Sequence, residues 1–128
     1  MTTDERSTLS GAAATAAAVR AHVDAFNQGD LERLLAGFAE DAQWVTGRSA
    51  VRGRDGLRGF FGAAIDGLRP HLAVAGLIAE DGRAACELTE TLVFKQEPRS
   101  YSIAAFFQLR DGLITSAKVY REGSAELG

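Results

Sequence analysis

Two side chains in this sequence are placed where they could move a proton. His22 lies three positions after Val19 and four before Phe26, on the apolar stripe of an N-terminal helix. A neutral imidazole there could donate to a carbonyl oxygen or act as a base near neutral pH. Glu87 lies in a β-strand, and burial beside apolar walls would raise its pKa towards 7. We therefore predict His22 and Glu87 as catalytic residues. The alternatives are a hydrogen-bonded, half-buried histidine and a glutamate that is solvated or paired with an arginine.

A second set of side chains is predicted to line a pocket around these two residues. Trp44 and Thr46 share strand parity, so the indole and the hydroxyl group should point to the same side of the sheet. Thr89 and Thr91 share parity with Glu87, and Arg121 is expected at the pocket mouth, where it could pair with Glu87 or a substrate carboxylate. Glu90 is expected on the opposite face of its strand, paired with Lys118.

The first half of the chain predicts three helices and two short strands. Apolar spacing indicates a helix over residues 8–28, which Gly29 ends. Asp30 is a typical N-cap for a second helix that ends at residues 40–41. Residues 43–52 indicate two short strands around a turn, and a third helix begins at residues 53–55.

The second half predicts four antiparallel strands. They are expected at residues 71–79, 84–94, 101–110 and 113–122, with Asp-Gly hairpin turns at 81–82 and 111–112 and a polar loop at 95–100. The predicted fold class is α+β, in which three N-terminal helices pack on the concave face of a cone-shaped, curved antiparallel sheet. We expect a frayed segment at 1–7, a single domain at 8–122 and a C-terminal tail at 123–128.

Composition and strand pattern restrict the partners. Apolar residues occur on both faces of the strands, which favours a homodimer through the convex sheet face; the alternative is a monomer with an apolar surface. A net charge of −3 gives no reason to expect nucleic acid or a membrane. One cysteine and two histidines, without ligand spacing, predict no disulfide, no metal and no cofactor. The single cysteine is typical of a cytoplasmic protein.

Four short motifs resemble those of the nuclear-transport-factor-like, or SnoaL-like, superfamily of cone-shaped α+β domains. They are F-N-x-G-D-L at 26–31, F-A-E-D-A at 38–42, G-R-D at 53–55 and R-D-G-x-I at 110–114. The resemblance covers roughly residues 12–122. Because the motifs are caps, turns and core positions, they indicate the fold and are nearly silent on function.

The resemblance also allows the family's catalytic positions to be compared one by one. In ketosteroid isomerases a tyrosine and two acids act on the substrate, and their positions fall on His22, Thr46 and Ala105. In limonene-epoxide-hydrolase-like enzymes an arginine and two aspartates act with a water-holding pair. Their positions fall on Thr91, Val93 and Val119, with the water-holding pair at Trp44 and Thr46. The resemblance therefore implies that neither catalytic set is retained, and it adds Ala105 and Val119 to the predicted substrate-binding residues.

Two functions remain open from the sequence. The first is a SnoaL-like isomerase or cyclase that moves protons on a small hydrophobic carbonyl compound, since cyclases of this type need only one well-placed acid. The second is a non-catalytic module that binds or sequesters a small apolar ligand in the same pocket. A third hypothesis is a structural dimerisation domain with a collapsed cone.

Overall fold

The structure, a computed structural model, describes residues 3–47 and 49–122. Its elements in chain order are α1 (Thr3–Gln28), α2 (Leu31–Ala36), β1 (Phe38–Thr46), β2 (Ser49–Arg52), α3 (Gly53–Asp66), β3 (His71–Glu80), β4 (Arg83–Phe94), β5 (Glu97–Arg110) and β6 (Leu113–Arg121). Helix α1 thus begins within the segment predicted to fray, while residues 1–2 and the predicted tail lie outside the described residues.

The six strands form one sheet in the order β2-β1-β6-β5-β4-β3. All neighbouring strands are antiparallel except β1 and β6, which are parallel. Apolar side chains of α1 and α3 pack with one face of this sheet to form a single core, in which Val19, Leu57 and Phe38 are fully buried. The α+β cone expected from the sequence is confirmed.

Polar contacts of the first helix fix its position over the sheet. The side-chain amide of Asn27 donates to the carbonyl of Leu72, and its oxygen accepts from the Leu72 N–H, both at 2.8 Å. Two hydrogen bonds to one backbone unit anchor the end of α1 to the start of β3. Asp30 then caps α2 by accepting from the N–H of Arg33, as predicted.

The second helix is shorter than predicted. It ends at Ala36, where the N–H of Gly37 bonds to Leu34, and Phe38 already belongs to β1. The carbonyl of Gly37 accepts from the N–H of Ile114 at 2.9 Å. Pairing with β6 therefore competes with further helical turns, although Phe38 is buried in either conformation.

Strands β4 and β5 are joined by a tight turn in place of the predicted polar loop. Phe94 pairs with Glu97, and the two residues between them, Lys95 and Gln96, have φ angles of 53° and 68°. Two positive φ angles are typical of a type I′ turn, which matches the twist of its strands. Strand β5 therefore starts four residues earlier than predicted, and its register against β4 is fixed.

Candidate functional site

A cavity of about 570 Å³ lies between the concave face of the sheet and helices α1 and α3. Most of its walls are apolar or aromatic, and its polar or charged side chains include His22, Thr46, Glu90 and Arg121. This volume lies within the usual range for sites that hold small organic molecules. We call this space the cone cavity.

His22 lies in an aromatic cage at one end of the cone cavity. Its ring centroid is 5.5 Å from those of Phe38 and Trp44, 5.7 Å from that of Phe107 and 6.0 Å from that of Phe61. The imidazole is 7% exposed, and its Nδ1 atom has no hydrogen-bond partner among the described residues. Burial lowers the pKa of His22 to about 4, so the ring is neutral at pH 7.

Glu90 and Arg121 form an ion pair inside the cone cavity. Glu90 is on β4 and Arg121 on β6, so the pair spans the intervening strand β5, where Glu90 lies opposite Tyr101 and Arg121 opposite Ile103. The Arg121 guanidinium also lies 4.9 Å from the centre of the Tyr101 ring. The Glu90 side chain is 8% exposed and that of Arg121 is 28% exposed. Burial lowers the pKa of Arg121, but an arginine remains charged in proteins.

His22 and the Glu90–Arg121 ion pair lie at different levels of the sheet. His22 contacts Phe107, whereas Arg121 pairs with Ile103, four residues away along β5. At the rise of a β-strand this separation is about 13 Å. The cavity therefore has a neutral polar group at one end and an ion pair at the other, with mainly apolar walls between them; Arg121 is the more exposed member of the pair.

Six of the predicted site residues line this cavity. They are His22, Trp44, Thr46, Ala105, Val119 and Arg121. The strand parity used for Trp44 and Thr46 agrees with this placement, as do the positions of Ala105 and Val119 taken from the resemblance, and the structure brings these side chains together around one space.

The other three predicted site residues lie elsewhere, so their predicted placement was wrong. Glu87 and Thr91 are exposed and Thr89 is half-buried, and none of them lines the cone cavity. Cys86 pairs with Ala105 and Leu88 with Ile103, so even-numbered residues of β4 face the cavity with odd-numbered residues of β5. Parity excludes Glu87 from the site because alternate side chains point to opposite faces.

The same register places Glu90, which sequence analysis missed, inside the cavity. Its expected cross-strand pair with Lys118 is wrong, because Lys118 is exposed on the convex face. The signal that could have found Glu90 is the length of the turn after Phe94. With a two-residue turn, the residue numbers of two paired residues add up to an odd number. Each even-numbered residue of β4, including Glu90, is therefore paired with an odd-numbered residue of β5, and its side chain lies on the same face as those of Tyr101 and Ile103.

The positions carried over from related enzymes can now be compared with this geometry. Thr46, Ala105 and Val119 line the cavity but carry no acid. Thr91 and Val93 are exposed, so they are not counterparts of cavity-facing catalytic residues, and the earlier assignment of these two positions was wrong. The cavity positions on this strand are occupied by Glu90 and Leu92.

A second depression, of about 580 Å³, lies mainly on the convex face of the sheet. Its walls include Ile78, Phe106 and Lys118, and Phe106 stacks edge-to-face on Tyr120 with ring centroids 5.9 Å apart. Ile78, Phe106 and Tyr120 are all at least half exposed. We call these three side chains the convex apolar patch.

None of the helices in residues 3–47 and 49–122 is long and apolar enough to cross a membrane. Within the same ranges, no three or more histidine, cysteine, aspartate or glutamate side chains are grouped to hold a metal ion.

Solved structures with the same fold include several bacterial proteins. A proposed polyketide cyclase from Xanthomonas campestris is 26% identical with a TM-score of 0.80, over 86% of this chain and 91% of that one. A proposed ketosteroid isomerase from Kribbella flavida is 22% identical with a TM-score of 0.79, over 91% and 84% of the two chains. An LEH-like epoxide hydrolase from M. tuberculosis is 19% identical with a TM-score of 0.79, over 87% and 84%.

None of the curated proteins matches this chain. The family model described as "SnoaL-like domain" matches residues 19–117, which is more than half of the sequence and includes most of the cone cavity. The fold, the cavity and this match agree with one another, and the chain belongs to the SnoaL-like domain family.

Proposed function

We propose that this protein is an isomerase or cyclase that moves a proton on a small hydrophobic carbonyl compound bound in the cone cavity. The observation that supports it is the position of Glu90, a carboxylate inside an otherwise largely apolar cavity beside the Arg121 guanidinium. Carboxylates in such surroundings serve as general bases, and adjacent cations stabilise the charge that develops on an oxygen.

The proposed reaction assigns one role to each member of the pair. Glu90 takes a proton from the carbon next to the substrate carbonyl, the electron pair of that C–H bond forms the C=C bond of an enolate, and the π pair of the carbonyl moves to its oxygen. The Arg121 guanidinium stabilises the resulting enolate through its N–H donors. In a substrate whose enolate is conjugated with a C=C bond, return of the proton to the far carbon of that bond gives an isomer. Attack of the enolate carbon on a second carbonyl of the same molecule closes a ring instead, and the proton on Glu90 then passes to the new alkoxide.

An exchange experiment with a simple ketone tests this function. The probe is para-butylacetophenone in deuterated water, and NMR measures the replacement of its acetyl protons by deuterium. We expect protein-dependent exchange in the parent and a loss of at least a hundredfold in Glu90→Gln. The matched control is Glu87→Gln, because Glu87 is on the same strand but outside the cavity. Absence of exchange in the parent, or equal rates in parent and Glu90→Gln, would contradict the proposal.

The second candidate function is binding without turnover, and the ion pair itself is the observation that favours it. To accept a proton from carbon, the Glu90 carboxylate would have to give up part of its contact with Arg121. Trp44 is the only tryptophan and lines the cavity, so its fluorescence reports occupancy. A saturable fluorescence change with para-butylacetophenone, without deuterium exchange, would favour the binding module over the enzyme.

We also infer that a second copy of the chain covers the convex face. Phe106 on β5 lies opposite Ala85 on β4, which lies opposite Ile78 on β3, and Phe106 also contacts Tyr120 on β6. Together with Ala85, the convex apolar patch is therefore continuous across four strands. Monomers rarely expose large continuous apolar patches. Glu80, Arg83 and Lys118 also line the depression, so a two-fold related copy can place unlike charges opposite each other.

A further inference from the structure

Buried polar atoms without a partner are costly, and His22, which lines the cone cavity, has one such atom in its ring. Nδ1 of His22 has no hydrogen-bond partner among the described residues, and the whole side chain is 7% exposed. An unsatisfied buried polar group costs about 1–3 kcal/mol in proteins. Nδ1 itself has almost no accessible surface, so a ligand can reach His22 only through the part of the ring that lines the cavity, where a hydrogen bond would contribute about 1 kcal/mol.

We infer that the substrate is an elongated molecule with two oxygen functions, of which the second is an uncharged hydroxyl or carbonyl that binds to His22. This inference rests on the proposed function, because the first oxygen is the carbonyl that lies beside Glu90 and Arg121. It adds the far end of the molecule and the nature of the group there.

The separation of the two sites sets the length of the substrate. Arg121 lies level with Ile103 and His22 contacts Phe107, about 13 Å further along β5. Between them, at the level of Ala105, the walls include Ala105 and Val119, which offer apolar surface, and Thr46, which carries one hydroxyl group. A substrate that reaches both ends therefore has a mainly apolar body between its two oxygen atoms.

The surroundings of His22 decide the charge of the second oxygen function. The aromatic cage of Phe38, Trp44, Phe61 and Phe107 contains no cation, and the imidazole is neutral at pH 7. An anion placed there would lose its hydration without a compensating charge. A hydroxyl group, by contrast, can donate a hydrogen bond to the unprotonated nitrogen of a neutral imidazole or accept one from its N–H, whichever tautomer is present.

Three probes of similar length test the inference by their order of affinity. They are para-butylacetophenone, the analogue with a terminal hydroxyl on the butyl chain, and the analogue with a terminal carboxylate. Dissociation constants come from quenching of Trp44 fluorescence. In the parent we expect the hydroxyl probe to bind about tenfold more tightly than the butyl probe, and the carboxylate probe to bind most weakly.

Substitution of His22 separates recognition from a merely structural role. In His22→Leu the preference for the hydroxyl over the butyl probe should disappear while the butyl probe still binds, and His22→Gln should restore part of the preference. NMR of the imidazole provides a second measurement, because only the hydroxyl probe should shift the His22 ring signals strongly. His71→Gln is the matched control, since His71 is exposed at the start of β3.

The possible failures of the two proposals differ. Equal affinity of the parent for the hydroxyl and butyl probes, or a preference that survives in His22→Leu, would overturn the inference about His22. Exchange that depends on Glu90 would persist in that case, and the proposed function would stand. Loss of exchange with all three probes would instead overturn the proposed function.

Discussion

Glu90 on β4 and Arg121 on β6 form an ion pair that crosses strand β5, because β5 lies between these two strands in the sheet. Removal of one partner leaves the other charge without compensation in a largely apolar cavity, and breaking a buried pair costs about 3–5 kcal/mol. Arg121 retains some contact with solvent, which screens the interaction.

We expect Arg121→Met to lower the free energy of unfolding by about 2 kcal/mol, since it leaves the Glu90 carboxylate buried alone. The Glu90→Gln, Arg121→Met double variant should be less destabilised than the sum of the single variants, by at least about 1 kcal/mol. Chemical denaturation measures these values. Glu97→Gln is the control, because it removes an exposed ion pair: the Glu97 side chain is 72% exposed, and its Oε2 atom lies 3.7 Å from an Nη atom of Arg99. Additive effects of the two cavity substitutions would show that the pair contributes no coupling.

Stability should fall on acidification because of His22. Its pKa is about 4 in the folded protein and about 6.5 as an ordinary histidine. Between these values the unfolded chain binds a proton that the folded chain does not, so the free energy of unfolding decreases as the pH falls from 6.5 to 4. A shift of this size corresponds to about 3 kcal/mol.

Chemical denaturation of parent and His22→Gln across this pH range measures the effect. The variant should lose less stability than the parent between pH 6.5 and pH 4, whereas His71→Gln should follow the parent. Superimposable profiles for parent and His22→Gln would mean that the folded imidazole accepts a proton freely.

A larger side chain at Ala105 should block the cone cavity. Ala105 is 2% exposed and lines the cavity, so Ala105→Leu fills space that the ligand needs. We expect the affinity for para-butylacetophenone, measured by Trp44 fluorescence, to fall at least tenfold while the fold is kept. Ala104→Leu is the matched control, because Ala104 is next to Ala105 in β5 and its side chain points to the opposite face of the sheet. An unchanged affinity in Ala105→Leu would place the ligand outside this cavity.

The convex apolar patch predicts an oligomeric state that depends on Phe106. Phe106 is 51% exposed and stacks on Tyr120, and a charge there would be buried between two copies. We expect native mass spectrometry to give a dimer for the parent and a monomer for Phe106→Glu. Leu68→Glu changes an exposed apolar side chain at the cone cavity and should keep the dimer. A monomeric parent would contradict this proposal.

Much of the fold could be predicted because its signals are local. The Asp30 cap and the Asp-Gly turns at 81–82 and 111–112 carry the residue types that these conformations require. The family motifs confirmed the arrangement of the elements. His22 lies on the predicted apolar stripe of α1, and Trp44 and Arg121 share strand parity with Thr46 and Val119, so local patterns were enough to place these three residues at the cavity.

The acid of the site could not be predicted because the turn that places it has an unusual sequence. Type I′ turns favour Asn-Gly or Asp-Gly, whereas Lys95 and Gln96 offer no glycine, and Pro98 directed the prediction towards a longer loop. Pro98 fits in β5 because it pairs only with Val93 of β4, beyond the end of β6. Register over a distance of several residues is not encoded in strand composition alone.

The Lys95–Gln96 turn also has a consequence for homologous sequences. A homologue with one residue inserted or deleted there, and with β5 held in place by β6, would present the outward face of β4 to the cone interior, including the residue equivalent to Glu87. A change of one residue in the length of this hairpin could thus replace the cavity-facing side chains of β4 by those of its other face while the fold stays the same. Sequence alignments of such proteins should therefore be anchored on hairpin length before any acid is equated with another.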